Sequence, residues 1–237
     1  MKKIGIGIEQ DTEKVISSVI KSGISDQIIL YCKPGTIDPG TENLDIHTSS
    51  SPEQDLVTDL MKGTIRAAVR GTLPANATLK ALKLAAGIDH LERIALLETA
   101  GGKKFLLAPV GVDEGWSVAE KVTFVKKGRE IAERFGLPTR VAILSGGRLG
   151  DVGRNRRVDR SMAEAELVAR LTGETHYEIL VENAISDAGV IIAPDGITGN
   201  LMFRTLTFLG AGHGHGAPVV NIDRIFVDTS RASPDYR

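Results

Sequence analysis

The chain has 237 residues, 42% hydrophobic and 25% charged, with a formal net charge of −1. That is about one and a half times a usual domain of ~150 residues, enough to build a sizeable core. The near-zero charge excludes a global pull toward nucleic acid or anionic membrane, so any basic function has to be local. The single cysteine, Cys32, excludes an internal disulfide and reads as a buried thiol in a reducing compartment.

Residues 4–8 alternate isoleucine with glycine and read as a first strand. Asp11 or Thr12 can cap a helix that carries Val15, Ile16, Val19 and Ile20 on one stripe and ends near Gly23. Residues 27–31 read as strand two, and the polar stretch 33–51, rich in Gly, Pro, Ser and Thr, as a long loop. Ser51-Pro52-Glu53 supplies a cap, a proline at the first helical position and a first-turn acid; the helix runs through Leu56 and Leu60 and stops at Gly63. A strand over 64–69, a turn over 70–74 and a helix bearing Leu79, Leu82 and Leu84 follow, then strands over 93–97 and 104–108. Ser117-x-x-Glu120 is a capping box for a helix with Val118, Val122, Val125, Ile131 and Phe135, closed by Gly136 and Pro138. A buried strand over 141–144 comes next.

Residues 145–160 hold Arg148, Arg154, Arg156, Arg157 and Arg160 among glycines and aspartates, show no apolar period, and read as a loop. Ser161-x-x-Glu164 is a second capping box, with Ala165, Val168, Ala169 and Leu171 on the helix face. Residues 177–184 fit helix or strand and are read as a strand. Residues 189–193 are continuously apolar, as in a strand buried on both faces. Pro194 ends it, and residues 195–200 supply turn chemistry, with two glycines free to take positive φ, before a helix with Leu201, Met202, Phe203, Leu206 and Leu209. A glycine- and histidine-rich link over 210–218, short strands over 219–222 and 225–227 and a polar tail complete the order. Buried strands alternating with amphipathic helices imply a parallel, doubly wound α/β sheet, with ligands beyond the carboxyl ends of its strands. No apolar stretch approaches the ~20 residues that span a bilayer, and the chain enters a strand pattern at once instead of showing a signal peptide. The expectation is a cytoplasmic protein without a membrane partner.

Three polar clusters fall at strand ends. Ser145, Gly146, Gly147 and Arg148 offer backbone donors and a guanidinium. Asp195, Gly199 and Asn200 open a helix whose free N–H groups and positive dipole end attract an anion, with Arg204 about one turn in. Ser230 and Arg231 follow the last strand. Together they suit a phosphate or acyl phosphate. With 4% aromatic residues the arginine stretch lacks the stacking partners of an RNA site. His213 and His215 flank Gly214, but no cysteine or carboxylate spacing completes a metal site. Gly5-Ile6-Gly7 lacks the third glycine of a dinucleotide fingerprint, which excludes a dehydrogenase of that type; a Walker A lysine and a Gly-x-Ser-x-Gly elbow are also missing.

Residues 195–210, the later Asp228-Thr229-Ser230-Arg231-Ala232, Asp59-Leu60-Met61-Lys62-Gly63, Leu79-x-x-Leu82 and Arg140 to Ser145 resemble the signatures of phosphate acetyl- and butyryltransferases. More closely, residues 145–155, 176–185 and 191–220 resemble the methanogenesis marker protein 4 family, also described as putative methyltransferase Mtx subunit X. The resemblance implies a two-lobed α/β/α sandwich of the isocitrate/isopropylmalate dehydrogenase-like, phosphate acyltransferase type. Lobe one would comprise residues 1–107 and 222–237, and an inserted lobe two residues 108–221, with the active site in the cleft between lobes and a homodimer as the assembly. It further implies coenzyme A as cosubstrate, Ser230 and Arg231 as electrostatic partners of an acyl phosphate, Asp235 as base for the thiol, and Lys62 and Gly63 among the substrate-binding residues. Asp235 comes sooner after Arg231 than in the acyltransferases, and the 146–159 loop carries more arginine, which implies a bulkier or more charged substrate. Two other functions stay open: a methyltransferase or methyltransferase-associated protein of methanogen one-carbon metabolism, and a non-catalytic accessory protein that docks an acidic partner through the arginine loop.

Overall fold

The computed structural model describes residues 2–38, 44–230 and 236. The chain forms two compact units, one made of Met1–Leu91 with His215–Arg237, the other of Glu92–Gly214. In chain order the first segment gives β1 (Ile4–Ile8), α1 (Thr12–Lys21), β2 (Ile28–Cys32), β3 (Asp45–Thr48), α2 (Pro52–Lys62), β4 (Ala67–Val69) and α3 (Ala75–Ala86). The second unit holds β5 (Ala95–Glu98), β6 (Lys104–Ala108), α4 (Val118–Arg134), β7 (Val141–Ile143), α5 (Arg156–Thr172), β8 (Thr175–His176), α6 (Val181–Asp187), β9 (Val190–Ile192), α7 (Gly196–Phe208) and β10 (His213–Gly214). The chain then returns with β11 (Ala217–Pro218) and β12 (Ile225–Asp228).

The first sheet runs β11-β12-β4-β1-β2-β3, parallel except for β11 against β12. Strand alternation sorts its side chains onto two faces. Ile28, Leu30 and Cys32 of β2 join Ile6, Ile8, Val15 and Val19 in the core under α1, while Tyr31 joins Leu56, Leu60 and Leu82 under α2 and α3. Gly5 and Gly7 belong to the second face. A Cβ at Gly5 would sit 2.6 Å from Leu56, and one at Gly7 2.1 Å from Leu73, so glycine is what lets those leucines reach the sheet. Truncating a fully buried leucine such as Leu56 to alanine would cost about 2–5 kcal/mol.

The second sheet runs β10-β5-β6-β9-β7-β8. β6, β9, β7 and β8 are parallel, whereas β5 is antiparallel to both β6 and β10, so the sheet is mixed rather than wholly parallel. Phe124, Val125 and Ala132 form the buried stripe of α4, and Gly128 lets it approach Val190 of β9, where a Cβ would lie 2.6 Å from Val190. Phe135, expected on that stripe, is exposed.

Several elements differ from the sequence expectation. The stretch 33–51 contains β3, which pairs in parallel with β2; its polar composition is that of an edge strand. Residues 145–160 are not all loop: a 3-10 turn forms at Leu149–Asp151, and α5 begins at Arg156 behind an Asn155 cap. Ser161 is therefore inside the helix and caps nothing. Residues 177–184 are no strand; β8 precedes them and α6 starts at Val181. β5 and β6 pair in the second sheet, so the first segment ends at Leu91 and not at residue 107. No helix among the described residues is long and apolar enough to cross a membrane.

Candidate functional site

The carboxyl ends of β6, β7 and β9 carry the polar chemistry of the second unit. After β6, residues 109–116 form a loop pinned from inside by Glu114, whose side chain is 0% exposed. Its carboxylate accepts from Arg93 Nε at 2.7 Å, from the Arg93 backbone N–H at 3.1 Å and from the Gly111 N–H at 3.1 Å. Burial pushes the Glu114 carboxyl up, and Arg93 offsets that only in part. The same loop receives the start of α7. The Gly196 N–H donates to Glu114 O at 3.0 Å and Asn200 Nδ2 to Val110 O at 2.9 Å. A Cβ at Gly196 would lie 1.6 Å from Gly111 O, and one at Gly199 1.9 Å from Pro109 O. These two glycines are needed for close backbone approach; they sit in the helix, without the positive φ expected of them.

The helix that follows is capped by Asp195, whose Oδ1 accepts from the Thr198 N–H at 2.7 Å and its hydroxyl at 2.9 Å. At the start of α4, Ser117 Oγ accepts from the Glu120 N–H at 3.2 Å while the Glu120 carboxylate accepts from the Trp116 N–H at 2.8 Å. Trp116 is held further by its ring N–H, which donates to Val112 O at 3.1 Å. One turn into α4, Lys121 is 4% exposed and pairs with Glu164 of α5 at 2.9 Å. Arg160 pairs with the other oxygen of Glu164 at 2.7 Å. Burial opposes ionisation of Glu164, but the hydrogen bonds from Lys121 and Arg160 outweigh it and hold its carboxyl below the usual range.

These starts of α4, α5 and α7 line a half-open cavity of about 520 Å³. α5 lines it with Arg157, Arg160, Ser161 and Glu164, α7 with Asp195, Ile197 and Thr198, and α4 and its lead-in with Trp116 and Lys121. Lys121, Arg157 and Arg160 give three positive charges against two negative ones from Glu164 and Asp195. Lys121 and Arg160 share Glu164, and Arg157 has no carboxylate partner among the described residues. The volume of this cavity falls in the range of small-molecule sites.

Of the residues singled out from the sequence, Asp195 lines this cavity. Ser145 does not. Its side chain is buried; the hydroxyl donates to Gly147 O at 3.0 Å and so accepts from His176 Nε2 at 2.8 Å. His176 Nδ1 in turn lies 3.4 Å from Glu166, yet with Ser145 only 1% exposed this serine–histidine–glutamate line holds a turn and presents no nucleophile. Gly146 donates its N–H to Ser161 Oγ at 2.9 Å, Gly147 packs against Val158, and Arg148 is exposed. The Arg148 backbone N–H and the nearby Arg154 keep the Asp151 carboxyl below its ordinary range. Gly199 and Asn200 serve the α7 contact described above. Arg204 is exposed, with its guanidinium 4.9 Å from the Phe208 ring centre.

In the first unit, Lys62 and Gly63 end α2 beside Lys2 and Arg224, at the amino ends of β1 and β12. Ser230 follows the carboxyl end of β12, so the sheet keeps the two groups at opposite edges and does not bring them together. Arg231 and Asp235 lie outside the described residues. At the Ser230 edge, buried Arg70 pairs with Asp228 at 2.5 Å and donates to Leu73 O at 2.7 Å, Thr229 donates to Gly71 O at 2.7 Å, and Thr72 Oγ1 accepts from the Glu9 and Gln10 N–H groups. Among the described residues there is no cluster of three or more His, Cys, Asp or Glu able to hold a metal.

Sequence reasoning missed Trp116 and Lys121, named Glu164 only as the acid of a capping box, and named Arg157 and Arg160 only as part of a loop. A signal was present. Arg157, Arg160, Ser161 and Glu164 recur at the 3–4–7 spacing of one helical face.

No family model matches this sequence. The chain is 43% identical, over 99% of its length and 89% of the relative's, to the "Putative methyltransferase mtx subunit X" of Methanosarcina barkeri. Among solved structures it superposes on a branched-chain phosphotransacylase from Enterococcus faecalis with a TM-score of 0.74 at 21% identity, covering 100% of this chain and 96% of that one. It also superposes on an isocitrate dehydrogenase from Methylococcus capsulatus, with a TM-score of 0.56 at 10% identity over 99% of this chain and 79% of that one. The fold is therefore of the phosphotransacylase and isocitrate dehydrogenase-like kind, and the chain belongs to the mtx subunit X family.

Proposed function

We propose that the protein is a transferase that takes a phosphate group of its substrate or coenzyme into the cavity of the second unit. The observation that carries this reading is the unshared cation there: Arg157 faces the cavity while Lys121 and Arg160 share the one carboxylate of Glu164. A guanidinium meets phosphate through two parallel N–H bonds. The phosphotransacylase-like fold and the relatives' methyltransferase name both support group transfer as the class of reaction.

The transfer proposed is that of an acyl group between phosphate and the thiol of coenzyme A. The thiol proton passes to a base, the sulfur forms a bond to the acyl carbon, the carbon–oxygen bond to phosphate breaks, and phosphate leaves with that electron pair. Asp235 as the base, with Ser230 and Arg231 steadying the phosphate charge, is a proposal resting on the resemblance of this tail to that of the acyltransferases. Methyl transfer is the second reading, favoured by the methyltransferase name of relatives at 42–43% identity.

Incubating the protein with acetyl or butyryl phosphate and coenzyme A tests the first reading. Thioester should form, and Arg157→Ala should raise the KM for coenzyme A about tenfold, as expected for one lost charge-assisted contact. If neither acyl phosphate gives thioester, acyl transfer is overturned and methyl transfer takes its place.

A further inference from the structure

A phosphate group at Arg157 uses only the polar part of the cavity lining. The lining also includes Trp116, 50% exposed, and Ile197, 47% exposed. Trp116 is the single tryptophan of the chain; its ring is held by the bond from its N–H to Val112 O, and its backbone by the bond to Glu120. A large ring held in place with half its surface in water is poorly matched to a small hydrated ion, but it suits a flat partner that can cover it. The volume agrees: about 520 Å³ is room for a ligand well beyond inorganic phosphate.

We propose that the ligand of this cavity is a phosphate ester of a planar heteroaromatic compound, of the nucleoside-phosphate type, whose ring lies on Trp116 and Ile197 while its phosphate meets Arg157. This rests on the phosphate reading above and adds the ring. Bases stack on aromatic side chains with little preference among them, because each presents a π-face. The cavity therefore selects for a flat ring joined to a phosphate, and Trp116 is the residue that sets that preference.

The lone tryptophan also reports on the test. The wild type is titrated with inorganic phosphate, ribose 5-phosphate, AMP, GMP and flavin mononucleotide, following affinity by calorimetry and, for the non-flavin ligands, tryptophan emission. At least one ring-bearing ester should change the emission and bind about tenfold more tightly than ribose 5-phosphate. Trp116→Ala should abolish that advantage and leave ribose 5-phosphate binding unchanged, and Trp116→Phe should restore part of it. The side chain is half exposed and bonded only through its ring N–H, so both variants should fold, and circular dichroism checks that they do. If all three ring-bearing esters bind no better than ribose 5-phosphate, or Trp116→Ala leaves their advantage intact, the ring proposal is overturned while the phosphate reading stands. If no phosphate compound binds at all, the phosphate reading falls and takes the ring with it.

Discussion

The side-chain amide of Asn200 donates a 2.9 Å hydrogen bond to the carbonyl oxygen of Val110, tying the first turns of α7 to the loop that ends in Trp116. Two glycines bring the backbones to that distance. Gly196→Ala would drive a Cβ to 1.6 Å from Gly111 O and Gly199→Ala to 1.9 Å from Pro109 O, and in each case the obstacle is backbone. Each variant should lose about 3 kcal/mol or more of stability, while Asn200→Ala should lose only about 1–2 kcal/mol. Urea denaturation of the three variants reads the order directly.

Glu114 and Glu164 should show opposite dependence on pH. For Glu114 burial raises the folded-state pKa, so its contribution is fully present below the ordinary glutamate range and is lost as pH climbs through the raised value. The advantage of wild type over Glu114→Gln should therefore shrink from pH 4 toward neutrality. For Glu164 the folded-state pKa is lowered, burial being outweighed by Lys121 and Arg160, so its contribution is present above the ordinary range and lost as pH falls. The advantage of wild type over Glu164→Gln should grow with pH across that range. Denaturation curves of the pairs measured from pH 3.5 to 8 check both signs, and a Glu114 advantage that grew with pH would show Arg93 winning over burial.

Glu164→Gln has a second consequence. It leaves Lys121, almost fully buried, without its carboxylate and should cost about 3 kcal/mol of stability. It also releases Lys121 and Arg160 to the cavity. Phosphate should then bind more tightly to a less stable protein, a pairing of effects that calorimetry and thermal melting separate.

Among the arginines, only those on the cavity wall should matter for phosphate. Arg157→Ala should weaken phosphate binding about tenfold with little change in melting temperature, since no described carboxylate depends on it. Arg148→Ala and Arg204→Ala should leave binding unchanged, the first being exposed on the 3-10 turn and the second set over Phe208. Titrations of the three variants at one salt concentration would expose any departure.

How much of this was legible in the amino-acid sequence depended on which force shaped each segment. Strands buried on both faces, such as β7 and β9, announce themselves as apolar runs, and the Asp195 cap was readable from its turn chemistry. β3 was not, because an edge strand keeps polar side chains toward water. α6 was taken for a strand because Tyr177, Ile179 and Val181 alternate with polar residues just before it starts. The main loss was at α5. Its first turn is arginine-rich and exposed, so the helix was placed only from Ser161 on, and Arg157 and Arg160, which share a face with Ser161 and Glu164, were hidden inside an assumed loop. Trp116 and Lys121 are some forty residues from that face and could be joined to it only by the fold. Lys62, brought in by a motif, stands at the amino edge of its sheet because α2 runs antiparallel to the strands it covers.

The claim on which the account turns is that the cavity at the starts of α4, α5 and α7 holds a phosphate group. A crystal structure of the protein with millimolar inorganic phosphate tests it most directly. Tetrahedral density within hydrogen-bond reach of the Arg157 guanidinium, absent from crystals of Arg157→Ala, is the predicted result. Phosphate bound only elsewhere on the protein, with this cavity holding water alone, would contradict it.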